Sequence, residues 1–141
     1  MEIIDRRFQE LAAAEFHDIM KLRVDVFVVE QSCPYAELDG RDDAPGTRHA
    51  WIADEAGPSA YARLLDEGDV RRIGRVATRA DARGAGLAGV LVDHLVATSE
   101  GPWVLAAQTR LQDWYRRRGF VVTGPEFVED GVAHVPMRRA A

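Results

Sequence analysis

The stretch RADARGAGLAGVL, residues 79–91, sets Gly84, Gly86 and Gly89 directly in front of apolar residues at helical spacing. Glycine suits a backbone that must turn through positive φ or let another group come close, and it is a poor residue inside a helix. Upstream, VRRIGRVAT (70–78) reads as a strand. The order is therefore strand, glycine turn, helix. A helix N-terminus carries unpaired N–H groups and the positive end of the dipole, and glycines let a phosphate reach them. A small-residue turn that packs a helix tightly stays open on these residues alone. No GxxxxGK[ST] is present, which excludes a P-loop. The three glycines spell GxGxxG, but that fingerprint opens a parallel βαβ unit with an acid about 20 residues on. Here three strand-like runs precede it, and Glu100 lies ahead of the next strand.

Outward from this segment, RFQEL (7–11) is expected to be a short strand. Phe16, Ile19, Met20, Val24, Phe27 and Val28 then fall at three- and four-residue steps, which predicts a helix with one buried face. Arg23 and Glu30 lie seven and fourteen residues after Phe16 on that face. A charge there is costly unless it is paired or reaches solvent or a ligand, so the expectation is a structural ion pair, a snorkelling helix-end side chain, or a site at the helix end. QSCPYAELDGRDDAPG (31–46) has no period, and a loop this long in a small domain is functional more often than a short one.

HAWIAD (49–54) and SAYARLLDEG (59–68) read as strands around a turn at Glu55–Pro58. Beyond the glycines, Leu87, Val90, Leu91, Leu95 and Thr98 mark a helix face, and His94 on it is expected to be a core histidine with satisfied nitrogens. WVLAAQ (103–108) has the apolar character of a central strand. LQDWYRRR (111–118) reads as a short helix ended by Gly119, and FVVTGPEFV (120–128) with VAHVPMRR (132–139) flanks Asp130-Gly131 as a hairpin. The pattern predicts a mixed α/β or α+β sheet in a single domain, residues 1–141.

A hydrophobic fraction of 47% and a charged fraction of 29% fit a soluble globular chain. No apolar run approaches the ~20 residues of a membrane span, so no membrane partner is expected. The N-terminus lacks a signal-peptide pattern. Cys33 is the sole cysteine, so no internal disulfide is possible, and a cytoplasmic location is expected. A net charge of −5 argues against general nucleic-acid binding. All but one of the 18 basic residues are arginine, so any single arginine carries less functional weight. Neither HExxH nor CxxC occurs, and no metal is expected. Cys33 has no paired histidine evident in sequence and reads as an inert loop thiol, the alternative being an acyl-carrying nucleophile.

Arg83-x-x-Gly86-x-Ala88, after a strand and before a helix, resembles the Gln/Arg-x-x-Gly-x-Gly/Ala motif of the GCN5-related N-acetyltransferases (GNAT), with Ala88 where a second glycine is commoner. RVDVFVVEQSCPYAELDGRD (23–42), TRH (47–49), IGRV (73–76) and EDGVAHVPM (129–137) are similar to the ElaA-type branch, so the likeness covers nearly the whole chain. It implies a mostly antiparallel central sheet flanked by helices, and acetyl-CoA as cosubstrate. It further implies that the backbone of Val76, Ala77 and Thr78 pairs with the pantetheine arm. The amides of Gly84, Ala85, Gly86, Leu87, Ala88 and Gly89 would receive the pyrophosphate, with Arg83 shaping the loop. Tyr115 matches the tyrosine that protonates the departing thiolate in many relatives. Its alternative is packing, because Leu111, Trp114, Tyr115 and Arg118 share a helical face.

The implied activity is transfer of an acetyl group to a primary amine by direct attack. A non-catalytic acyl-CoA-binding module with a protein partner is the other reading, and a homodimer is compatible with either. Glu30, Glu37, Asp39, Asp42 and Asp43 gather negative charge beside the implied acceptor cleft. A primary amine is mostly protonated at pH 7, titrating near ~10.4 like lysine, so a cationic small amine, or a Lys-like or N-terminal amino group, is the expected acceptor. Glu30, Asp39 and Asp42 would bind it, and Glu30 or His49 would take its proton. Alternatively, the acids only solvate the loop and His49 is structural.

Overall fold

A computed structural model describes residues 1–141. Eight strands, β1 (Ile4–Arg7), β2 (Arg48–Asp54), β3 (Gly57–Asp66), β4 (Arg71–Thr78), β5 (Trp103–Gln108), β6 (Val121–Val122), β7 (Phe127–Glu129) and β8 (Val132–Arg139), form one sheet. Helix α1 (Ala13–Val24) runs on into a π turn (Asp25–Glu30), α2 is Leu87–Ala97 and α3 is Gln112–Arg116. The order is β1-β2-β3-β4-β5-β8-β6, with β7 also on β8, and every pairing is antiparallel except β4–β5. Helix α2 makes the crossover that this parallel pair requires.

Side-chain alternation along the strands decides which helix covers which face. Ala50, Ile52, Ala60 and Ala62 point to the large core that α2 completes with Leu91, Val92 and Leu95. Their neighbours Trp51 and Tyr61 point the other way, onto Ile19, Leu22 and Val26 of α1 and its π turn. Each fully buried aliphatic side chain contributes roughly 1.5–3 kcal/mol.

Three expectations need correction. The first strand is Ile4–Arg7, not 7–11, because the Glu10 carboxylate accepts the Arg7 N–H at 2.8 Å and closes Phe8–Glu10 into a 3₁₀ turn. The buried face of the first helix is Ile19, Leu22, Arg23 and Val26, with Met20 and Val24 only half-buried. A π turn adds a residue to each helical turn, so 3.6-residue spacing cannot hold beyond Val24. The run FVVTGPEFV is broken into β6 and β7 at Gly124-Pro125, since proline has no N–H for the ladder.

Two irregularities shape the middle of the sheet. Tyr61 pairs with Ala77 but Arg63 with Gly74, so Arg75 and Val76 together oppose Ala62. This is a β-bulge, with Arg75 at φ +52°. The pairing of β4 with β5 covers only Arg71–Trp103 and Arg72–Val104, after which the strands part.

Candidate active site

Where β4 and β5 separate, a cleft of about 1350 Å³ opens between them. The π turn and the loop after it close one side. The N-terminus of α2, helix α3 and the β7–β8 hairpin close the other. Val76, Ala77 and Thr78 line it along the edge of β4 that β5 has abandoned.

At one end stand the glycines. Gly84 (φ +92°) and Gly86 (φ +77°, the N-cap of α2) occupy the left-handed region, and a Cβ built at either would meet no protein atom within 4 Å. The amides of Gly84, Ala85 and Gly86 donate no backbone hydrogen bond, and those of Leu87, Ala88 and Gly89 form the first turn of a helix with no side-chain cap. The first helical bond is donated by Val90, to the Gly86 carbonyl at 3.2 Å. Six successive N–H groups are thus open at the positive end of α2. Gly89 differs, because the Arg118 guanidinium lies where its side chain would be. Arg118 is held there by Asp93 at 2.8 Å and by the Trp114 ring. At that one position tight packing explains the glycine.

Arg83 donates Nε to the Thr78 carbonyl at 3.1 Å and Nη2 to Glu30 at 2.7 Å. It fastens the glycine loop both to the end of β4 and to the end of the π turn. The bond from Arg83 holds the Glu30 carboxyl below its ordinary pKa. Tyr115 is 7% exposed, its ring set edge-on to Trp114 at 4.8 Å and to Phe120 at 6.0 Å. The residue lines the cleft, its hydroxyl makes no hydrogen bond to the protein, and burial pushes its pKa up to about 12. It is therefore a proton donor at neutral pH.

The acidic loop is not an open rim. Buried Arg23 donates to Glu37 at 2.8 Å and to Asp42 at 2.7 Å. Arg63 meets Asp39 at 2.7 Å and Asp42 at 3.1 Å, and Arg75 Nε lies 2.8 Å from Glu37. Three guanidinium groups thus face three carboxylates, and the charge cancels. Burial alone would raise the Asp39 pKa, but its bonds with Arg63 override that and hold it at about 2. Asp42 is 4% exposed and does not line the cleft, so its expected contact with substrate is replaced by a structural one. Of the expected acceptor contacts, Glu30 and Asp39 do line the cleft, each already paired.

His49 is likewise removed from the expected chemistry. It is fully buried, with Nε2 2.9 Å from the Asp42 carbonyl and Nδ1 2.6 Å from the Tyr61 hydroxyl. A carbonyl only accepts, so Nε2 carries the proton and Nδ1 accepts from Tyr61. Both nitrogens are occupied, burial pushes the pKa below its ordinary value, and the ring is outside the cleft wall. The structural alternative holds for His49, as it does for Arg23.

Residues missed in the sequence also line the cleft: Arg75, Gln31 and Gln108, bonded to each other at 3.2 Å, and His134 on β8. An arginine inside the otherwise apolar SAYARLLD strand was the available sign of the ion network. The alternation of VAHVPMRR put His134 opposite the face of its neighbours, though not into a cleft.

This architecture, an open mostly antiparallel sheet split at one parallel junction beside a glycine-capped helix, defines an acyl-CoA-type acyltransferase fold. Residues 12–141 match the model of the acetyltransferase (GNAT) domain, and the chain belongs to that family. Within it the chain falls in the ElaA-like branch. It is 35% identical to the protein ElaA of Escherichia coli over 96% of this chain and 94% of that one. The crystal structure of E. coli ElaA superposes with a TM-score of 0.93 across 99% of each chain. A UPF0039 protein of Mycobacterium tuberculosis is 44% identical over 93% of this chain and 88% of its own length. An acyl-CoA N-acyltransferase from Pseudomonas aeruginosa gives a TM-score of 0.93 at 35% identity, covering 99% of this chain and all of that one. Membership carries acyl transfer as the general activity. No helix is long and apolar enough to cross a membrane.

Proposed function

We propose that the protein transfers an acetyl group from acetyl-CoA to a primary amine by direct attack of the neutral amine on the thioester. The observation that carries this reading is the row of open amides from Gly84 to Gly89, continuous with the unpaired edge of β4. The first suits a pyrophosphate and the second an extended, amide-bearing arm added in strand fashion. The P. aeruginosa relative, an acyl-CoA N-acyltransferase by name, supports the same ligand class.

Three tasks follow from the chemistry: removing a proton from the amine, stabilising the tetrahedral oxygen, and protonating the sulfur. Tyr115 suits the last. A phenol kept protonated by burial, in the cleft wall and without a protein partner, can donate a hydrogen bond to the sulfur as negative charge builds on it and pass on a proton that the nitrogen releases in the same step. For the acceptor, the Asp39 and Asp42 charges are compensated, but Glu129 and Asp130 line the cleft without an ion pair. A small cationic amine, or a Lys-like or N-terminal amino group, is the acceptor that these two carboxylates favour. Incubation with acetyl-CoA and a panel of amines, following free thiol and product mass, tests the reading. Acetylated product with stoichiometric thiol supports it, and calorimetry showing no affinity for acetyl-CoA overturns it.

A further inference from the structure

The geometry points to His134 as the group that takes the proton of the acceptor amine, an inference that rests on the acyl-transfer reading above. On β8, His134 lies in register with Gln108 at the end of β5 and with Phe127 of β7. Its Nδ1 is 2.8 Å from the Val132 carbonyl oxygen. That oxygen can only accept, so the proton of the neutral ring sits on Nδ1 and the lone pair on Nε2. The ring is stacked on Phe127 at 5.7 Å and 23°, which limits its reorientation. Nε2 has no partner in the protein, and the residue lines the cleft.

The other three histidines lie away from the cleft, and two of its carboxylates are already engaged. His49 is sealed in the core, His17 is an exposed side chain on α1, and His94 is bound to Asp5 at 2.7 Å; none lines the cleft. Glu30 is held by Arg83 and Asp39 by Arg63, both at lowered pKa. Besides Glu30 and Asp39, the ionisable groups sharing the cleft with His134 are Glu129 and Asp130 of the hairpin, Cys33, Tyr35 and Arg41 of the loop, Arg63 of β3, Arg72 and Arg75 of β4, Arg83 of the glycine loop, Arg110 after β5 and Tyr115 of α3. Tyr35 is kept protonated by burial and by its bond to Glu37.

In the step that results, an ammonium R–NH₃⁺ gives one proton to Nε2, forming the imidazolium. The freed amine attacks the thioester carbon, the C–N bond forms, and the C–S bond breaks with its electron pair on sulfur. The second nitrogen proton balances the thiolate, delivered through Tyr115, and His134 returns the first to bulk water. One amide, one thiol and one solvent proton are the products.

His134→Asn removes the base while its side-chain amide can still donate to the Val132 carbonyl. Benzylamine, protonated at neutral pH, and hydroxylamine, largely neutral there, are the acceptor probes. The variant is expected to lose on the order of 10²-fold in kcat with benzylamine, to stay near wild type with hydroxylamine, and to bind acetyl-CoA normally by calorimetry. The variant's benzylamine profile is expected to follow the amine's own deprotonation, rising only well above neutral pH, where the wild type is already active. Equal losses on both amines, or none on benzylamine, would overturn the assignment. Nitrogen NMR gives an arm independent of turnover, with the Nδ1–H tautomer expected for His134 and an Nε2–H tautomer overturning it. A wild-type protein that neither binds acetyl-CoA nor releases thiol removes the acyl-transfer reading itself.

Discussion

Arg83 Nη2 lies 2.7 Å from a Glu30 carboxylate oxygen, a single contact that joins the end of the π turn to the glycine loop 53 residues later. Both side chains are about two-fifths exposed, at 43% and 42%. The pair closes one corner of the cleft and occupies the carboxylate that the helix-end position suggested for catalysis.

Glu30→Gln should therefore disturb coenzyme binding more than chemistry. Stability is expected to change by less than about 1 kcal/mol, as for other exposed ion pairs. The expected outcome is an altered acetyl-CoA affinity that converges with wild type at high salt, and kcat within about threefold of wild type. Steady-state kinetics at two ionic strengths check this. A large kcat loss at unchanged affinity would return Glu30 to the role of base.

Gly86→Val places a branched side chain at φ +77°, in open space where the phosphates would lie. Left-handed backbone costs a β-branched residue roughly 1–3 kcal/mol, so the variant should still fold. Acetyl-CoA affinity should fall by on the order of 10²-fold, the equivalent of one or two charge-assisted hydrogen bonds. Calorimetry on the folded variant is the measurement.

Tyr115→Phe leaves the packing against Trp114 and Phe120 almost intact while removing the donor. The expected result is a kcat about 10²-fold lower with coenzyme affinity and melting temperature nearly unchanged. An unaltered kcat, with chemistry rate-limiting, would make Tyr115 a core residue only.

Arg23→Met takes one guanidinium partner from each of two buried carboxylates, Glu37 and Asp42, leaving them Arg75 and Arg63 respectively. Breaking a buried pair from one side costs about 3–5 kcal/mol. Urea unfolding should register part of that, since Arg63 and Arg75 remain, and acceptor kinetics should deteriorate as the 31–46 loop loses one of its three anchors.

Acid should weaken the fold in two stages. His49 has a folded pKa below its ordinary 6.5, so as pH falls past 6.5 the unfolded chain takes up a proton that the native state refuses, and stability declines. Asp39, at about 2 against an ordinary 3.8, contributes stability present above pH 3.8 and lost as pH drops toward 2. Melting temperatures between pH 7 and 5 should flatten in His49→Gln relative to wild type, whereas an unchanged slope would show that His49 does not carry the first stage.

Much of this was readable in advance because it rests on local chemistry. The glycines ahead of α2, the apolar WVLAAQ run and the Asp130-Gly131 turn each act through backbone geometry that neighbouring residues determine. The bulge at Arg75 had no such signature. An arginine at φ +52° is held by its approach to Glu37 and Asp39 across the loop, not by a turn residue. The same is true of charge. Counting acids from Glu37 to Asp43 suggests an anionic rim, whereas the cations that cancel it come from α1, β3 and β4, up to 38 positions away. His49 and His134 looked alike as strand histidines, and only the sheet order separates the one in the core from the one in the cleft.

Two residue pairs alone join β4 to β5 in the ladder, so the eight strands divide into two half-sheets with a short parallel junction between them. A slender ligand laid in the notch would carry the hydrogen-bond ladder across it and join the two halves of the sheet. By mass action, ligand at 100 times its Kd would add about 2.7 kcal/mol to the unfolding free energy. Amide exchange should slow along the exposed edge of β4 and, through the stiffened junction, in β5. A thermal melt of dialysed protein would then report the weaker of two molecules.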